Sequence, residues 1–124
     1  MEIRLGDALA AFAVLNKVID REIPIKTAYW LGRAATQIES EVRTFEAARM
    51  KAVKKYCELD EEGNPISEDD HYKITDTEGF NKEYQELLDE KFEIKFEPIS
   101  IDAFGDVSIT PREVIALGVL IKEE

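Results

Sequence analysis

The chain has 124 residues, with 16 Lys+Arg against 27 Asp+Glu and a formal net charge of −11. Hydrophobic residues make up 44%, enough for one core, which excludes disorder as the default, and the length fits a single domain over 1–124. The longest apolar run, 8–15, is far short of the roughly 20 residues of a membrane-spanning helix.

The first helix is expected to open at Asp7, whose carboxylate suits an N-cap. Leu9, Phe12, Ala13, Asn16 and Ile19 then recur at helical spacing, and Pro24 separates this helix from the next. A long central helix follows over 26–56, free of proline, with Ala28, Leu31, Ala35, Ile38, Val42 and Phe45 three or four residues apart. At 1.5 Å per residue such a helix is roughly 46 Å long, whereas a compact chain of this size is only about 35 Å across. The expectation is that it bends near Gly32, protrudes, or has its seam covered by a second copy. Trp30, at the edge of that seam, caps the core or anchors an interface, because tryptophan is enriched among binding hot spots. The candidate interface is therefore Trp30, Leu31, Ala35, Ile38, Val42 and Phe45.

Residues 58–70 hold seven acidic side chains and no basic one, and Gly63-Asn64-Pro65 marks a turn or short hairpin. Asp60, Glu61, Glu62, Glu68, Asp69 and Asp70 form the candidate acidic surface. A short strand is expected at 71–74, then a third helix capped by Asp76 or Thr77 with Phe80, Tyr84, Leu87 and Leu88 on one side. Residues 92–97 alternate apolar and polar, the pattern of a half-buried strand that Pro98 ends, with 99–101 extending the pairing. Thr110-Pro111-Arg112-Glu113 reads as a capping box opening a short last helix. The fold class is thus α+β: a long helix packed with a shorter N-terminal one, plus a small antiparallel sheet and short helices in the C-terminal half.

Charge divides unevenly along the sequence. Residues 1–57, the helical half, hold ten Lys/Arg and seven Asp/Glu, whereas 58–124, the acidic half, holds six and twenty. Phosphate backbones demand clustered cations, so the acidic half is not expected to bind nucleic acid directly. On the long helix, Arg33, Arg43, Lys51, Lys54 and Lys55 oppose the seam and read as a solvated face, as partners for the acidic half, or as a nucleic-acid-binding stripe, the last interrupted by Glu39, Glu41 and Glu46.

Catalytic and metal chemistry finds little to work with. An EF-hand register with Gly63 at position 6 puts Asp69 where a bidentate glutamate belongs and Pro65 inside the loop. His71 and Cys57 are the only histidine and cysteine, too few for a transition-metal cluster, and one cysteine forms no internal disulfide. The six glycines are too dispersed for a phosphate-cradling loop, and none of the four serines lies in a nucleophile-elbow context. No catalytic, cofactor-binding or metal-ligating residue is assigned.

The order of elements carries a resemblance. A short helix precedes a long Lys/Arg/Glu-rich one, followed by Asp-Glu-Glu-Gly-Asn-Pro-Ile and then Tyr-Lys-Ile-Thr-Asp. Phe-Asn-Lys-Glu-Tyr-Gln-Glu-Leu-Leu, Phe-Glu-Ile-Lys-Phe-Glu-Pro-Ile and Ile-Thr-Pro-Arg-Glu-Val-Ile-Ala-Leu complete the chain. This resembles a family of small proteins of tailed phages and prophages of Gram-positive bacteria. The resemblance implies a viral accessory protein in the bacterial host cytoplasm and lends no activity or functional residues. The expected function is non-enzymatic and acts through protein–protein interaction with a host or phage partner, as a homo-oligomer joined through the seam, without membrane or cofactor. The alternatives are an acidic inhibitor of a host defence or nucleic-acid-processing enzyme, imitating a phosphate backbone, and a divalent-metal-binding protein or enzyme.

Overall fold

A computed structural model describes residues 1–69 and 71–122, and its architecture is α+β. In chain order the elements are β1 (Glu2–Arg4), α1 (Leu5–Val18), α2 (Ile25–Tyr56), β2 (Ser67–Glu68), β3 (His71–Tyr72), α3 (Thr77–Leu88), β4 (Lys91–Glu93) and α4 (Pro111–Leu117). Short 3-10 helices occupy Ile101–Phe104 and Gly118–Leu120. Among the described residues no helix is long and apolar enough to cross a membrane.

The chain forms two compact units. One comprises Met1–Val42 with the chain from Glu90 onward, and the other is Arg43–Asp89. Neither unit matches the helical and acidic halves, because the boundary falls inside α2 and the last third of the chain folds with the first.

In the first unit, β1 pairs antiparallel with β4, with Ile3 opposite Phe92 and Arg4 opposite Lys91. The sheet is therefore not confined to the C-terminal half. Three residues with one inward side chain, Ile3, are too few to show an alternation, so β1 has no sequence signature. The strand expected over 92–97 is laddered only through Glu93, beyond which the Ile94 amide donates to the Met1 carbonyl at 2.9 Å. The alternation nonetheless continues, with Ile94 and Phe96 buried and Lys95 and Glu97 exposed.

The same pairing corrects the start of α1. The helix begins at Leu5, straight off the strand, and its first amide donates to the Glu90 carbonyl at 2.7 Å. That backbone acceptor satisfies one of the free amides at the helix start, and because the helix opens two residues before Asp7, the Leu9 and Ala10 amides that Asp7 was expected to cap fall inside it. Asp7 instead lies in the first turn, where its charge favours the helix dipole, 3.4 Å from Arg4.

The core of this unit gathers Ala8, Ala11, Leu15 and Val18 of α1 with Leu31, Ala34, Ala35 and Ile38 of α2. Ile3, Ile94, Phe96, Phe104, Leu117 and Leu120 close it from the other elements. Thr27, buried among them, donates its hydroxyl to the Ala103 carbonyl at 2.6 Å, so its polar atom enters the core satisfied. The connection between α1 and α2 is fastened to α4 by Arg21, whose guanidinium donates to both Glu113 carboxylate oxygens at 2.7 and 2.6 Å and to the Ser108 carbonyl. Glu113 also completes the expected capping box, accepting from the Thr110 amide while its own amide donates to the Thr110 hydroxyl.

The second unit has a thinner core: Phe45, Val53 and Cys57 are its buried hydrophobics among the described residues. Phe45 meets the Tyr84 ring edge-on at 5.8 Å, and Tyr84 stacks on Phe80 at 5.7 Å. Phe80, Tyr84, Leu87 and Leu88 are half-buried, the face expected of α3, and Asp76 caps that helix by accepting from the Gly79 amide. The last carbonyl of α2, Tyr56, accepts from the Thr75 amide and hydroxyl, which fixes the β2–β3 ribbon to the helix end. Lys55 pairs with Glu83 at 2.8 Å and Lys73 with Glu58 at 3.0 Å, so part of the acidic stretch and the basic helix end find partners within this unit.

Two measurements check this account. Ile38→Ala, which empties a fully buried site, is expected to lower the unfolding free energy by about 2–5 kcal/mol in chemical denaturation. The Arg21 guanidinium holds the Glu113 carboxyl down at about 2, so its contribution to stability is complete above the usual carboxylate range and is lost as pH falls toward that value. Melting temperature measured from neutral pH downward is therefore expected to fall less steeply for Glu113→Gln than for the wild type, the difference developing below about pH 4.5.

Candidate binding groove

The helix seam that sequence periodicity marks as an interface is interior. Leu31 and Ile38 have no exposed surface, Ala35 and Phe45 are buried, and Val42 packs half-buried against the core. The reason is that residues 90–122 fold back onto the first part of α2, while the second unit supplies its own cover for Phe45. The chain itself already covers these side chains. Trp30, like Val42, is half-buried at the rim of the core.

The acidic residues are placed differently. Asp60, Glu61, Glu62, Glu68 and Asp69 are exposed around the β2–β3 ribbon, and Asp70 lies outside the described residues. Asp60 is committed to the turn: one of its carboxylate oxygens accepts from the Glu62 and Asn64 amides, both at 2.9 Å. Gly63 sits at φ +84, the left-handed conformation such a turn requires and glycine adopts without strain. Among the described residues no three His, Cys, Asp or Glu side chains converge to hold a metal ion. His71 is exposed on β3, while the Cys57 thiol is buried and directed at the Glu58 and Ile66 carbonyls.

Around Trp30 the first unit carries a groove of about 670 Å³, walled by Lys26, Trp30 and Arg33 of α2 and by the extended residues 95–99. A second hollow of about 740 Å³ adjoins it across Arg33 and Lys95, floored by Tyr29, Gly32, Thr36 and Gln37. Helical spacing produces the first wall: 26, 30, 33 and 37 recur at three or four residues and share one side of α2. Residues 95–99 form the second wall because Gln37 holds them there. Its carboxamide accepts from the Lys95 amide at 2.7 Å and donates to the Lys95 carbonyl at 3.2 Å, taking the place of a neighbouring strand. With Ile94 and Phe96 turned inward, the Lys95 side chain is left outward.

Arg33 lies over both rings, 5.0 Å from the Trp30 centroid and 5.6 Å from that of Tyr29, which itself meets Trp30 edge-on. Cation–π attraction and a 3.3 Å hydrogen bond to the Tyr29 hydroxyl hold the guanidinium in place while leaving most of its donors facing outward. Lys26 and Lys95 enter no salt bridge among the described residues. Three cations and one carboxylate, Glu97, thus surround a half-buried indole on a chain of net charge −11. The sequence singles out Trp30 and places Arg33 on a face read as solvated or as pairing with the acidic half. Lys26 and Lys95 receive no functional role and Pro98 only that of ending a strand, although Arg33 standing three and four residues after Trp30 and Tyr29 is a readable sign of a stacked cation.

Ile25 is 88% exposed and Tyr29 58%, one helical turn apart and continuing the same open side. A Cβ at Gly32 would meet no atom within 4 Å, so the helix surface at that position is open. No family model matches the chain, and neither a curated protein nor a solved structure matches it. The empty space at Gly32 yields a stability prediction: Gly32→Ala, in mid-helix and without a clash, is expected to raise the unfolding free energy by roughly 0.5–1 kcal/mol, read from denaturant midpoints.

Proposed function

We propose that this is a non-enzymatic binding protein that acts by docking another protein on the Trp30 groove, in the setting of the phage accessory proteins its order of elements resembles. The observation that carries the reading is the cluster of Tyr29, Trp30 and Arg33, aromatic rings and guanidinium pre-stacked at the edge of a groove. Tryptophan, tyrosine and arginine are the side chains most often found at the energetic centres of protein interfaces. Stacking fixes their rotamers in the free protein, which reduces the entropy lost on association. The exposed Ile25 and Tyr29 beside the groove add apolar surface that association would remove from water.

Within this reading the partner is a host or phage protein in the bacterial cytoplasm, and no chemistry is asked of the chain. The side chains of the 31–45 seam serve stability rather than association.

Purification of the tagged protein from cells of the phage host tests the reading. The wild type is expected to retain one protein in stoichiometric yield, and Tyr29→Ala to lose it by roughly tenfold or more. Tyr29 is more than half exposed, so circular dichroism of that variant should match the wild type. Equal retention by wild type and variant, or a wild type that elutes alone, would overturn the proposal.

A further inference from the structure

We infer that the occupant of the Trp30 groove is an acidic peptide segment carrying one apolar anchor, recognised by Arg33, Lys95 and Lys26; this rests on the binding reading above and specifies the partner's chemistry. The groove divides its surface in the way such a ligand would need. Trp30, Phe96, Pro98 and Ile99 offer an apolar floor, and three cations against the single carboxylate of Glu97 leave the lining net positive. Arg33 presents a planar fork of donors whose geometry suits a carboxylate, and its stacked position leaves little freedom to lose on binding it. Lys26 and Lys95 have no salt-bridge partner among the described residues, on a chain that carries 27 acidic side chains. Cations left unpaired on so acidic a surface are a site for carboxylates from elsewhere.

A nucleic-acid strand has the right charge and the wrong shape. Single-strand binding needs aromatic faces open to bases and a cationic track following the backbone. Here Arg33 already occupies the surface over Trp30 and Tyr29, and three cations on a chain of net charge −11 make a pocket rather than a track. A short peptide with two or three carboxylates matches that number. The surrounding negative charge then orients the ligand, repelling its acidic ends everywhere except at the groove.

The test uses the full chain and its single tryptophan, Trp30, whose fluorescence reports directly on the groove. Synthetic peptides of about a dozen residues, rich in Glu and Asp with one central Leu, Phe or Trp analogue lacking indole fluorescence, are titrated beside neutral and basic counterparts and an oligothymidylate of similar length. Acidic peptides with an apolar centre are expected to bind best, and to weaken several-fold between about 50 and 300 mM NaCl. Arg33→Glu and Lys95→Glu are each expected to weaken them roughly tenfold. Gly32→Glu places a carboxylate in open space, without a clash, and should do the same while Gly32→Ala does not.

Equal binding of neutral or basic peptides, tighter binding of the oligothymidylate, or indifference to Lys95→Glu and Gly32→Glu would overturn the inference. So would light scattering showing a dimer of the wild type that Lys95→Glu dissociates, because a second copy would then fill the groove. Retention of a cellular partner that depends on Tyr29 but not on Lys95 would refute the acidic ligand and leave the binding function standing.

Discussion

Pairing of residues 2–4 with 91–93 is the constraint on which the first unit rests. This unit is assembled from two pieces of chain separated by the whole of 43–89, so it exists only if those pieces are held together across that gap. Closing a loop costs more as it lengthens, but only logarithmically, so the intervening residues impose a modest penalty that the shared core can exceed. The ladder, the Leu5 amide on the Glu90 carbonyl and the Ile94 amide on the Met1 carbonyl all lie at this junction. From it follow the start of α1, the inward turn of Ile94 and Phe96, and the outward turn of Lys95 that builds the groove.

What the amino-acid order discloses is local, and what it hides is long-range. The 32-residue α2 is readable because its apolar spacing is regular and no proline interrupts it. The capping box at Thr110 and Glu113 and the Asp76 cap are readable because their bonds span three residues. The burial of Leu31, Ala35 and Ile38 is not, since it depends on which distant segments return to cover them. An apolar helical stripe looks the same whether its cover comes from the same chain or another. The groove is hidden for the same reason: Lys26 and Arg33 lie some sixty residues from Lys95, and the Gln37 side chain that joins the two walls has no local pattern.

Charge shows the same contrast. Along the sequence it divides sharply, but in the fold it does not. The first unit holds nine Lys/Arg and fourteen Asp/Glu, the second seven and thirteen, so each is moderately acidic. The contrast between halves disappears because the last third of the chain, itself acidic, folds with the nearly balanced first third. The distinctive electrostatic feature is therefore small: Lys26, Arg33 and Lys95, none in a salt bridge among the described residues, gathered at one groove.

Gln37 also has a protective effect at Lys95. Extended backbone beyond the end of a ladder presents bare amide and carbonyl groups, a template on which another chain can add a strand and begin an ordered aggregate. Nature commonly blunts such edges with charge, proline or a covering element. Residues 95–98 have all three: the Lys95 and Glu97 side chains, Pro98, and a glutamine carboxamide that occupies both backbone groups of Lys95. The second wall of the groove thereby keeps its side chains exposed while the Lys95 backbone is closed to main-chain recruitment, so an open groove need not be a template for polymerisation.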